Sequence, residues 1–264
     1  VTVQFVPHHT RAGLSELSEE YHEVEAETDA LARFSKELAK LDTSSSEKNF
    51  LCGNHSATTF GATTTDTGTS TRTVRDLYQN TIMDVAHYEE QYGESFTRNC
   101  TVEFGPEIAT ALQGDKGLVP PLKNQLLQVS QEAYRERMRL LRKIKHERAS
   151  LENIDEQLTE LGSNCEEFLI VRSFSEWSNE RLLNAQRKAK AHEQECQRLT
   201  EKRQTDIQEY RSVKDRQDDD AFTNYLYGSL LVTYPALADI CDFVQTLQNK
   251  QSRISTLLSE GANR

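Results

Sequence analysis

Residues 120–162 read PPLKNQLLQVSQEAYRERMRLLRKIKHERASLENIDEQLTELG. Within that stretch Leu122, Leu126, Val129, Ala133, Leu140, Ile144, Leu151, Ile154, Leu158 and Leu161 recur at three- and four-residue steps, with wider gaps after Ala133 and Ile144. That period places the apolar groups along one side of a helix. A second stripe follows through Leu182, Ala185, Ala189, His192, Cys196, Leu199, Tyr210 and Val213. The break near Gly162 predicts a turn, so the pair reads as a long antiparallel, coiled-coil-like hairpin. The fold class is all-α, an elongated helical bundle built on this hairpin.

Working outward, Pro120 and Pro121 open the first arm. Ser163 with Glu166 offers a capping box for a short connecting helix, and Ser173 with Glu176 offers one for the second arm. Upstream, an acidic amphipathic helix should cover Gly13 to Leu41, burying Leu14, Leu17, Tyr21, Val24, Leu31, Phe34, Leu38 and Leu41. Residues 43–73 are rich in Thr, Ser, Gly and Asn and read as a flexible linker. A further helix is expected from about Thr73 to Tyr92, and Gly105-Pro106 marks a helix restart that Gly114 to Gly117 closes. Past Asp218-Asp219-Asp220 come Phe222 to Val232 and Pro235 to about Leu258. The expected segments are therefore 1–42, 43–73, 74–119, 120–217 and 218–264.

Composition narrows the function classes. The 264 residues carry a net charge of -11, with 42 acidic against 31 basic side chains. Whole-surface attraction to nucleic acid or anionic lipid is disfavoured. Five cysteines, Cys52, Cys100, Cys165, Cys196 and Cys241, form no CxxC pair. Free thiols in a reducing, cytoplasmic compartment are the simplest expectation. The longest largely apolar segment, Tyr225 to Ala238, is shorter than the roughly 20 residues a membrane span requires.

Several phrases together resemble an uncharacterised all-helical family of halophilic archaea, a domain of unknown function. They run from Val74 to Tyr92 (VRDLYQNTIMDVAHYEEQY), from Glu103 to Ala109 (EFGPEIA), through Lys202-Arg203-Gln204, and through Tyr225-Leu226-Tyr227 and Tyr234-Pro235-Ala236-Leu237. The resemblance covers about Gly13 to the C-terminus without the Thr-rich linker. It implies a cytoplasm of molar salt and carries over no functional residue.

The sharpest candidate site is electrostatic. Between Tyr134 and Arg148 stand Arg135, Arg137, Arg139, Arg142, Lys143, Lys145 and Arg148 against Glu136 and Glu147. Between Arg181 and Arg203 stand Arg181, Arg187, Lys188, Lys190, Arg198, Lys202 and Arg203 against Glu193, Glu195 and Glu201. A turn near residue 168 would bring the two stretches side by side. The waist that results, represented by Arg135, Arg139, Arg142, Lys143, Arg187, Lys188 and Lys190, would hold either a polyanion or the acidic face of the first helix, Glu16 to Asp29. The internal acidic helix is the favoured occupant, since salt weakens phosphate binding steeply.

Metal chemistry has thinner support. Glu19-Glu20-Tyr21-His22 and Asp84-Val85-Ala86-His87 fit the spacing of a two-metal helical bundle. His192 and Cys196 share one face, with Ile144 and Leu140 expected opposite them, and zinc normally takes four ligands. Cys52-Gly53-Asn54-His55 lacks a second half. Chance in a Glu-rich helical chain explains these pairs, so no metal, cofactor or catalytic residue is assigned. No phosphate loop, nucleophile elbow or His-Glu-x-x-His motif occurs in the chain. The expected function is structural or regulatory, through helix-mediated association with itself or another protein and without catalysis. Polyanion or nucleic-acid binding is the alternative, and a di-metal enzyme the remote one.

Overall fold

The computed structural model describes residues 5–44, 68–171, 173–209 and 219–262. The described residues form an all-α protein of nine helices. In chain order these are α1 (His8–Lys40), α2 (Thr71–Gln79), α3 (Tyr88–Gln91), α4 (Phe96–Phe104), α5 (Pro106–Gln113), α6 (Pro120–Leu169), α7 (Asn179–Glu209), α8 (Asp219–Tyr227) and α9 (Pro235–Ala262). Among the described residues, no helix is long and apolar enough to cross a membrane. Most of the Thr-rich run, the Cys52–His55 pair, and Tyr210 and Val213 of the second stripe lie outside the described residues.

Two compact units cut across the segments expected from sequence. The first comprises Val1–Tyr21 with Lys143–Arg264, and the second comprises His22–Arg142. Helices α1 and α6 each contribute residues to both.

In the second unit, Leu31, Phe34 and Leu38 of α1 pack with Val74 and Tyr78 of α2, Phe104 of α4 and Leu112 of α5. Tyr78 is fully buried and meets Phe34, Phe96 and Phe104 edge-on at 5.7, 5.3 and 5.3 Å. Such aromatic pairs each contribute about 0.5–1.5 kcal/mol beyond the area they bury. The Tyr78 hydroxyl donates to Asn99 Oδ1 at 2.7 Å, so burial leaves it satisfied.

The helix expected over Thr73 to Tyr92 is interrupted after Gln79. Thr81 Oγ1 donates to the Leu77 carbonyl at 2.6 Å, and the amides of both Ile82 and Met83 turn back to the Tyr78 carbonyl. With the Thr81 amide at 3.3 Å, three successive amides share that one acceptor, so the one-to-one ladder of the helix ends there. Helix α4, absent from the sequence reading, starts at a Ser95 cap whose Oγ accepts from the Arg98 amide. Gly105 then joins α4 to α5 at φ 95°, a conformation side-chain-bearing residues rarely adopt. The ends of the Thr-rich segment are tied together: the Ser44 amide donates to the Leu118 carbonyl at 2.8 Å, and Thr69 to Asp42 at 3.2 Å. A Cβ on Gly68 would sit 2.4 Å from the Ser44 Cα, so this closure requires glycine.

In the first unit, α6 passes through Gly162 and ends at Leu169, seven residues beyond the expected break. Gly162 clears space: an added Cβ would lie 2.9 Å from the Phe5 Cβ. Phe5 in turn packs on Phe243 with ring centroids 4.6 Å apart. No connecting helix starts at Ser163, which lies inside α6 with its hydroxyl donating to the Thr159 carbonyl one turn back. The cap of α7 is Ser178, whose Oγ accepts from the Arg181 amide, whereas Ser173 Oγ accepts from Ser175.

Helix α1 starts at His8 rather than Gly13, and its cap comes from the far end of the chain. The Asp239 carboxylate accepts from the Thr10 amide at 2.6 Å and the His9 amide at 3.2 Å. Local sequence offers no such acceptor, because Pro7 precedes the helix. The buried carboxylate therefore satisfies donors that helix geometry leaves open.

Candidate functional site

The register between α6 and α7 decides what the basic residues can do. Arg203 bonds Glu147, Ser150 bonds Asp206, Lys202 bonds Asn153 and Arg181 bonds Glu167. These bonds set the Arg181–Arg203 stretch beside residues 147–167. Only Lys143, Lys145 and Arg148 of the first basic stretch belong to the same unit as α7. By the same register Cys196 lies further along α6 than the Ile144 and Leu140 expected from sequence, and it is close enough to Cys165 for the two thiols to act on each other.

The seven candidate side chains are all exposed, with Arg135, Arg139 and Arg142 in the second unit and Lys143, Arg187, Lys188 and Lys190 in the first. Several lie along their own helices. Arg139 approaches Glu136 at 3.7 Å, Arg142 Nε donates to the Met138 carbonyl, and Arg187 Nε donates to that of Leu183. Lys143 Nζ stands 5.5 Å from the Phe222 ring centre. Part of the acidic face of α1 is engaged by other side chains. In the first unit Ser229 donates to Glu16 and Tyr225 donates to Glu20. In the second unit Gln91 donates to Glu23, while Glu27 receives Arg137.

Arg137 is the centre of the most elaborate polar cluster of the second unit. Its Nε donates to Glu27 Oε2 at 3.1 Å and its Nη2 to Glu103 Oε2 at 2.8 Å. Glu27 Oε1 also accepts from the Tyr92 hydroxyl at 2.7 Å and lies 3.3 Å from His87 Nε2. Burial works against the Arg137 charge, but Glu103 and then Glu27 overcome it and hold its pKa above the usual range. Burial, reinforced by Glu27, likewise raises the Tyr92 phenol. A cleft of about 300 Å³ opens beside the cluster, walled by Leu31, Ile82, Val85, Tyr88 and Val102. Ile82, Val85, Tyr88 and Tyr92 of the Val74–Tyr92 phrase, and Glu103 of the Glu103–Ala109 phrase, line this cleft.

The first unit holds a drier counterpart. Arg203 and Glu147 side chains are 3% and 7% exposed and pair in a two-pronged arrangement, Nη1 to Oε2 at 2.9 Å and Nη2 to Oε1. Tyr227 donates its hydroxyl to Glu147 Oε1 at 2.6 Å, and Ser150 Oγ accepts from Arg203 at 3.1 Å. Burial and the neighbouring Glu147 hold the Tyr227 phenol well above its ordinary value.

Sequence reading counted Arg137, Glu147 and Arg203 only as members of surface charge runs. The missed signal was in the stripes. Arg137 fills the gap between Ala133 and Leu140, Glu147 the gap between Ile144 and Leu151, and Arg203 the step after Leu199; the structure buries Leu141 and leaves the expected Leu140 half-buried. A charge at an inward position implies a buried partner, and all three have one.

Of the metal-like pairs, Glu19, His22 and Asp84 are exposed, and His87 Nε2 lies 3.3 Å from Glu27. Cys196 is fully buried, its thiol pushed up to about 12 by burial, and burial lowers the His192 pKa. His9, Asp239 and Asp242 bring three potential ligand atoms within 4.8 Å of one another. The Asp239 oxygens there already serve the start of α1.

A family model described as a domain of unknown function, DUF7260, matches residues 8–251. No curated protein and no solved structure matches the chain.

Proposed function

The chain belongs to the DUF7260 family, whose function is unknown, and we propose that it acts without catalysis, by helix-mediated self-association in the cytoplasm. The observation that carries this reading is the apolar surface where α6 ends and α7 begins. Ile170 and Leu183 are 46% and 48% exposed at this end, which also holds the Arg181–Glu167 pair. In this reading α6 and α7 form an antiparallel, coiled-coil-like hairpin whose closed end is the contact. The occupant is a second copy of the chain. A two-fold contact sets one patch against itself, and a patch holding Arg181 and Glu167 alongside apolar groups is self-complementary in charge.

Light scattering on the eluting protein, at low and at molar salt, tests this. The expected result is a mass near twice 30.2 kDa that falls to the monomer in the double variant Ile170→Glu, Leu183→Glu. A monomeric mass at every concentration and both salts overturns it. The salt range also spans the halophilic cytoplasm that the sequence resemblance implies. Nucleic-acid absorbance in the same run reads the polyanion alternative, which requires Arg135, Arg139, Arg142, Lys143, Arg187, Lys188 and Lys190 to act together.

A further inference from the structure

We propose that His9, Asp239 and Asp242, where α1 begins beside the first turns of α9, form a binding site for a divalent transition cation of the zinc class. All three residues belong to the first unit, and the argument does not rest on the association assigned to the α6–α7 end.

The three side chains bring one ligand atom each within 4.8 Å of one another, an imidazole nitrogen and two carboxylate oxygens. His9 Nε2 stands 3.8 Å from Asp242 Oδ2, too far for a hydrogen bond but near the spacing of two ligands on one ion. Ligands held about 2.0–2.1 Å from a tetrahedral zinc lie about 3.3 Å apart, so a side-chain shift of about half an ångström closes that gap.

Charge points the same way. Asp239 and Asp242 are three residues apart on α9, which sets two carboxylates on one face. Among the described residues no lysine or arginine pairs with either. Asp239, 2% exposed, receives only the amides of His9 and Thr10, and the Asp242 carboxylate meets only His9. A buried carboxylate without a counter-charge, facing a second carboxylate, is relieved by a cation held between them. The amides leave room for one. A carboxylate has about four acceptor positions, and these two N–H groups take one on each Asp239 oxygen. Thr10 adds an independent sign. Its side chain is fully buried, and its hydroxyl, on the residue whose amide reaches Asp239 at 2.6 Å, has no hydrogen-bond partner. His9 and Asp242 are open to solvent on the other side and give an ion its way in.

Donor chemistry selects the ion. Imidazole suits zinc and cobalt, whereas magnesium and calcium take oxygen ligands. Three protein ligands leave a fourth position for water.

The test titrates the untagged, metal-free full-length chain with zinc chloride by calorimetry, with magnesium chloride as the oxygen-seeking control. One equivalent of zinc should bind with a Kd of about 10 μM or tighter, and magnesium should bind at least about a hundredfold more weakly. His9→Ala keeps the amide that Asp239 caps, and Asp242→Asn alters a side chain that is 63% exposed. Each should lose about tenfold or more in zinc affinity. Cobalt chloride reads the geometry, since a four-coordinate site gives strong visible absorption that both variants should lose. Absence of saturable zinc binding, binding that survives both variants unchanged, or equal affinity for magnesium overturns the proposal. Zinc held instead by Cys52, His55 or Cys241 gives the second of these results. The two substitutions lie on different helices, so if circular dichroism finds one variant unfolded the other decides.

Discussion

Replacing Arg203 by methionine should unfold the first unit far more readily than its surface-run sequence context suggests. The substitution keeps most of the side-chain volume but strands Glu147, whose side chain is 7% exposed. Tyr227 and its hydroxyl remain, but one neutral donor does not balance a buried carboxylate. Removing one partner of such a pair costs about 3–5 kcal/mol. For a unit of this size that corresponds to a fall in melting temperature of about 10–20 °C. The chain contains one tryptophan, Trp177, packed edge-on against Phe174 at 5.1 Å and beneath Arg181 at 3.9 Å. Its fluorescence therefore reports the unit that holds the pair, and urea titrations followed at Trp177 read the cost directly. The companion variant, Arg203→Met with Glu147→Leu and Tyr227→Phe, removes both charges and the hydroxyl that would lose its acceptor. It should recover most of the stability, to within about 1–2 kcal/mol of the parent, because paired charges in a dry core are close to exchangeable for apolar groups. A loss under about 1 kcal/mol in Arg203→Met, or a companion variant no more stable than the single one, would refute the reasoning.

Three further outcomes follow from separate parts of the molecule. Gly105→Ala should destabilise the second unit by about 1–3 kcal/mol through backbone strain alone, because nothing lies within 4 Å of the added Cβ; a thermal melt unchanged to within 0.5 kcal/mol (about 1–2 °C) contradicts the positive φ. Asp239→Ala should cost about 0.5–2 kcal/mol by freeing the His9 and Thr10 amides, and faster hydrogen exchange confined to the first turn of α1 is its signature. Burial pushes the Cys100, Cys165 and Cys196 thiols up to about 12, whereas Cys241 is exposed. The unfolded chain gives up these protons near pH 9 while the folded chain keeps them, so the stability they lend is present below pH 9 and falls as the pH rises toward 12. Peptide mapping after alkylation at pH 8 should find Cys241 modified well before those three, and equal rates would show that the buried thiols are open to solvent.

Local periodicity was enough to identify an all-α protein, both long stripes, the Gly105-Pro106 restart and the start of α9 at Pro235. Each depends on a repeat or a backbone preference within a few residues, and such terms are strong over one or two helical turns. The sequence also held the Arg137–Glu27–Glu103 cleft in view, as an unusual phrase around His87 and Tyr92, but without a hint of its chemistry. Glu27, Glu103 and Arg137 come from α1, α4 and α6, and only packing brings them together.

What tertiary structure alone decided is where glycines and charges serve distant partners. Gly162 looks like a helix end until Phe5 is found against it, and α1 looks uncapped until Asp239 arrives from 229 residues away. The sharpest example is the gaps in the stripes. Sequence counts positions 137, 147 and 203 among surface charge runs, yet the free energy of a buried charge depends on which opposite charge reaches it and how dry the site is. Those quantities are properties of the folded chain, and they turn three apparent surface charges into the polar centres of its two units.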